Sequence, residues 1–261
     1  MQYGFIGCGN MGGALATALS RATKDILLCD PGKGKMMADK LECSSGDVTA
    51  VAGNCKRIFI GVKPNMVREA LSPIQEILKE KKPLLISMAA GLTLETIEKY
   101  AGSPLPIIRI MPNTPVAVGK GMISYTCNSL VTDQDLNSFL DDMRYAGVWE
   151  RIDEDLMDTA SALSGSGPAY MYYFAEALCK GAVECGMDAD QALRFAIATM
   201  EGAAEMLRTD GRSAEQLRIA VCSPGGSTLA GLKALDEGAF TDDVVSCLKA
   251  AYQRNKELAK Q

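Results

Sequence analysis

The sequence predicts an α/β domain over residues 1–157 followed by an all-α domain over residues 158–261. Three observations carry this reading. At the N-terminus a short apolar strand runs straight into a glycine-rich turn and a helical pattern. Apolar runs of strand length then alternate with helical periodicity as far as Arg151, and from Gly165 onward strand signals disappear.

Tyr3 to Ile6 form the opening strand, followed by Gly7-Cys8-Gly9-Asn10-Met11-Gly12 and a helix through Leu15, Ala18 and Leu19. Strand, G-x-G-x-x-G and helix in succession is the context of a Rossmann-type dinucleotide site. Gly7 permits the tight turn, Gly9 lets the backbone approach a pyrophosphate, and Gly12 lets the helix pack on the strand. Ile6, Gly7, Gly9, Asn10, Met11 and Gly12 are therefore candidate cofactor contacts. The next strand, Ile26 to Cys29, ends at Asp30, 18 residues after Gly12. An acidic residue there would hold the ribose hydroxyls of NAD.

Arg57 to Val62 reads as a strand ending at Lys63-Pro64, with Pro64 suited to a first helical turn. Leu84 to Met88 is another, leading through Ala89-Ala90-Gly91 to a helix that Thr93 can cap. Leu105 to Met111 is a further strand, ending in Pro112-Asn113. Strands alternating with helices predict a parallel sheet covered on both faces, with ligands at the carboxyl ends of its strands. Val62–Pro64, Ala89–Gly91 and Met111–Asn113 all fall at such ends. Met122 to Thr126 and Val148 to Arg151 read as added edge strands flanking a helix from about Asp133 to Tyr145, with Trp149 as a packing residue. No adenosine contacts are assigned to the stretch from Cys43 to Asn54.

In the second half, Gly167-Pro168 opens a helix ending near Gly186, and Asp188 with Gln191 starts another that runs to about Leu207. Ser213 with Gln216 precedes a third, and the last covers Thr241 to about Leu258. Wide faces of alanine and methionine, including Ala196, Met200, Ala203 and Met206, are more than a domain this small can bury alone. A second copy of the chain is the natural cover.

Between the third and last of these helices lies Val221-Cys-Ser-Pro-Gly-Gly-Ser-Thr228. Ser223-Pro224 favours a turn and Gly225-Gly226 frees the backbone, after which Ser227 or Thr228 can cap a helix carrying Leu229, Leu232 and Leu235. Such a turn presents N–H groups and a positive dipole end to an anion such as a carboxylate. An ordinary capped helix after a loop is the alternative.

Composition narrows the chemistry. The chain is 48% hydrophobic and 23% charged, with a net charge of −5 that argues against nucleic acid or anionic membranes as partners. No apolar stretch reaches membrane-spanning length, and a cytoplasmic protein is expected. The nine cysteines include no C-x-x-C pair, which suits a reducing compartment. There is no histidine, so Ser–His–Asp and Cys–His catalysis and His-ligated metal sites are excluded. No metal site is expected.

Four stretches, in order along the chain, resemble the pyrroline-5-carboxylate reductases. They are Phe5-Ile-Gly-Cys-Gly-Asn-Met-Gly12, Arg109-Ile-Met-Pro-Asn-Thr-Pro115, Ala162-Leu-Ser-Gly-Ser-Gly-Pro-Ala-Tyr170 and the turn from Val221 to Gly231. The resemblance implies NAD(P)H-dependent reduction of the C=N bond of 1-pyrroline-5-carboxylate to L-proline, the final step of proline biosynthesis. It implies a nicotinamide side built from Val62, Lys63, Pro64, Ala89, Ala90, Gly91, Met111, Pro112 and Asn113. It also implies a substrate carboxylate on Gly225, Gly226, Ser227 and Thr228, with the Thr228 hydroxyl at the ring nitrogen and Ser223 as a second contact. A homodimer through the helical domain is implied, with dimers assembling further, up to a decamer.

Cofactor choice stays open between NADPH and NADH. Members of the family commonly use NADPH, and Asp30 would repel a 2′-phosphate, whereas Lys33 and Lys35 would bind it or simply form a solvated basic loop. Two other functions compete. One is a hydroxyacid dehydrogenase with Lys180 as proton donor; the other is a non-catalytic nucleotide-binding oligomer.

Overall fold

The computed structural model describes residues 1–258. Eight strands form one sheet: β1 (Tyr3–Ile6), β2 (Ile26–Cys29), β3 (Ser44–Ser45), β4 (Arg57–Ile60), β5 (Leu84–Ser87), β6 (Ile107–Met111), β7 (Gly121–Cys127) and β8 (Gly147–Arg151). Their spatial order is β3-β2-β1-β4-β5-β6-β7-β8. The order reverses between β1 and β4, whose partners run Tyr3↔Arg57 to Ile6↔Ile60 in parallel register. Such a reversal leaves a crevice at the carboxyl ends of the two strands.

The alternating strands β1 to β6 form a parallel sheet as expected, and the two added strands extend it with a change of direction. β7 runs antiparallel to β6, with Ile108 opposite Cys127, and β8 is parallel to β7. Only nine residues separate β6 from β7 (residues 112 to 120), too few for a helical crossover, so the chain turns back. β7 is therefore the penultimate strand rather than an edge; the edges are β3 and β8.

Helices α1 (Asn10–Leu19), α2 (Gly34–Leu41), α3 (Val48–Asn54), α4 (Val67–Leu71), α5 (Gln75–Lys81), α6 (Leu94–Ala101), α7 (Asp133–Asp142) and α8 (Met157–Ala160) accompany the sheet. Strand alternation sorts the core into two clusters. Tyr3, Phe5, Phe59, Ile86, Ile108 and Ile110 belong to one, together with Leu15 and Leu19 of α1 and Phe139 of α7. Ile6, Ile58, Ile60, Leu85 and Ile107 belong to the other, together with Val51 of α3, Leu78 of α5 and Ile97 of α6. Phe5 and Phe59 stack at 4.3 Å between centroids, and Trp149 meets Phe139 edge-on at 5.3 Å. Trp149 thus packs, as expected, and its Nε1 donates to the Met143 carbonyl.

At the amino ends of the strands, away from the crevice, Arg57 donates to the Tyr3 hydroxyl at 2.8 Å and pairs with Asp142 at 3.2 Å. Tyr3 in turn donates to Asp142 at 2.7 Å. β3 and α3 occupy the stretch from Cys43 to Asn54, to which no adenosine contacts were assigned, with Asp47 capping α3 through the Ala50 N–H.

The second half is helical: α9 (Gly167–Glu184), α10 (Ala189–Thr209), α11 (Ala214–Ala220), α12 (Ser227–Glu237) and α13 (Phe240–Leu258). Among the described residues, contacts divide the chain into one unit of residues 1–168 with 251–258, and a second of 169–250. Ser161–Gly165 and the end of α13 belong to the first unit, where Asn255 donates to the Asp158 carbonyl. Within the second unit only Ala192 and Ala196 are buried, whereas Tyr173 is 75% exposed and Phe195 57%. Among the described residues no helix is long and apolar enough to cross a membrane.

Candidate active site

The glycine turn after β1 is fixed by close packing. Gly7 has φ +97°, and a Cβ there would lie 2.7 Å from both the Gly61 carbonyl carbon and the Val62 nitrogen. A Cβ on Gly12 would strike the Gly7 carbonyl oxygen. Gly9 differs: it caps α1, and nothing lies within 4 Å of where its Cβ would be. That open space faces a helix start with no acidic residue in its first turn, the arrangement that takes a pyrophosphate.

A cleft of about 800 Å³ opens here, lined by Ile6, Gly7 and Gly9 from β1, Cys29–Pro31 after β2, Gly46–Val48 after β3 and Gly61–Lys63 after β4. Its size and its position at the strand reversal fit a nicotinamide dinucleotide. Asn10, Met11 and Gly12 form the first turn of α1 beside it.

Asp30 is held by the backbone around it. Its Oδ2 accepts from the Cys8 N–H at 2.8 Å, and its Oδ1 from the N–H groups of Gly32 and Lys33, each at 2.9 Å. Burial alone would raise its pKa, but these three donors and the Lys33 charge hold it below the usual carboxylate range. The carboxylate therefore locks the glycine turn to the β2–α2 turn while one lone pair of Oδ2 stays available. The Lys33 and Lys35 side chains are exposed. Cys8, inside the same turn, is pushed up to about 12 by burial first and then by the Asp30 carboxylate, so it is a packed thiol.

Further along the sheet, Lys63 and Pro64 begin a short 3-10 turn after β4, with Pro64 in its first positions. Ala89 is buried and Gly91 takes φ +77° after β5. Met111 is buried at the end of β6. Asn113 is committed internally: its Nδ2 donates to the Ser164 carbonyl at 3.0 Å and its Oδ1 accepts from the Met122 N–H at 2.9 Å. The Asn113 side chain thereby ties Arg109–Pro115 to the stretch Ala162–Tyr170, two of the four stretches singled out above. Ser161–Gly165 is a π-helical turn, with Ser166 N–H bonded to the Ser161 carbonyl. Turns of this kind favour functional sites, and no sequence signal marks them.

In the second unit, Ser223-Pro224-Gly225-Gly226 is a tight turn. The Ser223 carbonyl accepts from the Gly226 N–H at 3.0 Å, and Gly225 has φ +72°. Proline second and a positive φ third define a type II turn. Gly226, not Ser227 or Thr228, is the cap of α12, without a side-chain cap bond. The two hydroxyl residues instead occupy the first turn, where backbone N–H groups have no intrahelical acceptor. Ser223, Gly225, Ser227 and Thr228 are exposed. Cys222 Sγ donates to the Arg218 carbonyl.

A doubly wound nucleotide-binding unit joined to a helical unit defines an oxidoreductase-type architecture. Residues 2–91 match the family model described as NADP oxidoreductase coenzyme F420-dependent, and residues 154–258 match that of pyrroline-5-carboxylate reductase dimerisation. The chain is 34% identical to the pyrroline-5-carboxylate reductase of Aquifex aeolicus, over 99% of this chain and 97% of the relative. Among solved structures, the reductase of Coxiella burnetii superposes with a TM-score of 0.91 at 33% identity, covering 100% of this chain and 99% of that one. The Plasmodium falciparum reductase with NADP bound gives 0.90 at 31%, covering 99% and 98%. The chain belongs to the pyrroline-5-carboxylate reductase family.

Proposed function

We propose that this protein reduces the C=N bond of 1-pyrroline-5-carboxylate to give L-proline, the last step of proline biosynthesis, with NADH or NADPH as reductant. The observation that carries the reading is the type II turn feeding the start of α12, set in a chain similar to these reductases from end to end. A nicotinamide held by Ile6–Gly12 and the ends of β4, β5 and β6 would supply a hydride for the imine carbon, the C=N π pair going to nitrogen, which ends with a proton. The protein binds, orients and excludes water around that exchange.

Ser227 and Thr228 N–H groups, at the positive end of α12, suit the substrate carboxylate. The Gly226 N–H is spent inside the turn, so Gly225 and Gly226 act by shaping it. The Thr228 hydroxyl holds the ring nitrogen and its proton, with Ser223 as the second hydroxyl. Ile6–Gly12 and the ends of β4, β5 and β6 form the cofactor side. The exposed apolar faces of α9 to α13 support a homodimer through the helical unit, with dimers assembling up to a decamer, and a cytoplasmic location fits a biosynthetic enzyme with nine free thiols. That membership sets aside the hydroxyacid dehydrogenase reading built on Lys180.

Steady-state oxidation of NADH and of NADPH with 1-pyrroline-5-carboxylate tests this. Turnover with one or both is expected, and Thr228→Ala should lower kcat by about 10²-fold while nucleotide binding persists. Well-folded protein that consumes neither cofactor, or a T228A variant with undiminished turnover, would sink the proposal.

A further inference from the structure

On the reductase reading, the cleft must accept NADH, NADPH or both. The cleft beside the glycine turn carries three carboxylates, Asp30, Asp47 and Glu69, against one lysine, Lys63. Asp30 cannot swing away, because three backbone N–H groups hold both of its oxygens. Asp47 is anchored too, accepting from the Ala50 N–H at 2.7 Å as the cap of α3. Both sit just past the carboxyl ends of neighbouring strands, β2 and β3, where the register pairs Leu28 with Ser45. A dinucleotide lying across the strand reversal places its adenosine ribose on this β2 side.

We propose that Asp30 and Asp47, with Glu69, select a dinucleotide bearing a free ribose 2′-hydroxyl, NADH, over its 2′-phosphorylated counterpart. A 2′-phosphate brings about −1.5 to −2 charges. Placed beside two fixed carboxylates it meets like charge that neither side chain can relieve by moving, and like-charge juxtaposition is strongly unfavourable. A 2′-hydroxyl is a donor, and Asp30 Oδ2, which takes one backbone donor, keeps a lone pair to accept from it. Lys33 lies near enough to Asp30 to favour its ionised form, but the Lys33 side chain is exposed and outside the cleft lining, as is that of Lys35. They partly offset the repulsion and do not reverse it.

The test is direct binding, by fluorescence titration of the full-length protein with NADH and with NADPH, without substrate. NADH should bind more tightly by about 100-fold. Asp47→Asn keeps the cap, since asparagine caps as well as aspartate, and should narrow the ratio about tenfold. Asp30→Asn should narrow it further, and Lys33→Ala should leave NADH ahead. NADPH binding as tightly as NADH, or a ratio unmoved by both D47N and D30N, would overturn the inference. If neither nucleotide binds, the cofactor site itself is lost and the inference with it. If NADH is preferred in binding but no imine is reduced, the selectivity stands and the substrate reading fails.

Discussion

Cys8 shows how one residue can serve a site without acting in it. The thiol is 2% exposed inside the glycine turn and is pushed up to about 12, while Cys55, under the same sheet, goes up to about 11, burial being the largest cause for both. Unfolded, each would ionise near 9.0. A folded pKa above the unfolded one means that unfolding releases protons in the interval between them. The stabilisation is complete below about pH 9 and is lost as pH climbs toward 12. Urea midpoints should therefore fall between ~pH 7 and ~pH 10.5, and Cys8→Ala should flatten that fall. An alkaline slope identical in the variant would show that the turn opens without exposing the thiol. Asp30 was legible from its spacing after Gly12, because the fingerprint fixes where the second strand ends. Its three backbone donors were not, since they depend on how two turns meet. Asn113 is the same case: the sequence marks the residue, and only the fold shows that its amide links Met122 to Ser164.

At the scale of elements, the α12 turn gives a sharp experiment. Gly225 has φ +72° with open space where a Cβ would project, so alanine there meets no collision, only backbone strain of about 1–2 kcal/mol. Gly226 is the reverse: its φ of −76° suits any residue, but a Cβ would strike the Ser223 hydroxyl. Gly225→Ala should raise KM for the imine about tenfold at a stability cost of at most about 1–2 kcal/mol, because the strain opens the turn that aims the N–H groups. A stability loss with unchanged KM would show that the turn is structural alone. Elements with local signals were readable from sequence, among them α10 from its Asp188 cap and α11 from the Ser213–Gln216 capping box. β3 and α3 were not, because a two-residue strand has no periodicity and is held by pairing with β2. β7 was read as a strand at Met122 to Thr126, but its antiparallel direction was not legible: direction is set by connection length, and the residues read alike in either sense.

For the whole molecule, the helical unit poses the question of cover. Met171, Tyr172, Tyr173, Phe195 and Ile197 are each about half exposed or more, an apolar surface that a lone chain in water would not keep. Sedimentation of the purified protein should show a dimer or a larger closed assembly, and Tyr173→Glu should shift it to smaller or aggregated species. A stable monomer at micromolar concentration would contradict the homodimer. The sheet, by contrast, offers no room for growth. One border is a strand of two residues, and the other, β8, ends in Glu150 and Arg151, both exposed. Neither presents a long apolar rail on which a further backbone could zip, so the molecule is terminated in the strand direction. Copies can then accumulate only through helical faces, which favours finite particles over fibrils, and crowded expression of this chain should yield discrete oligomers rather than filaments.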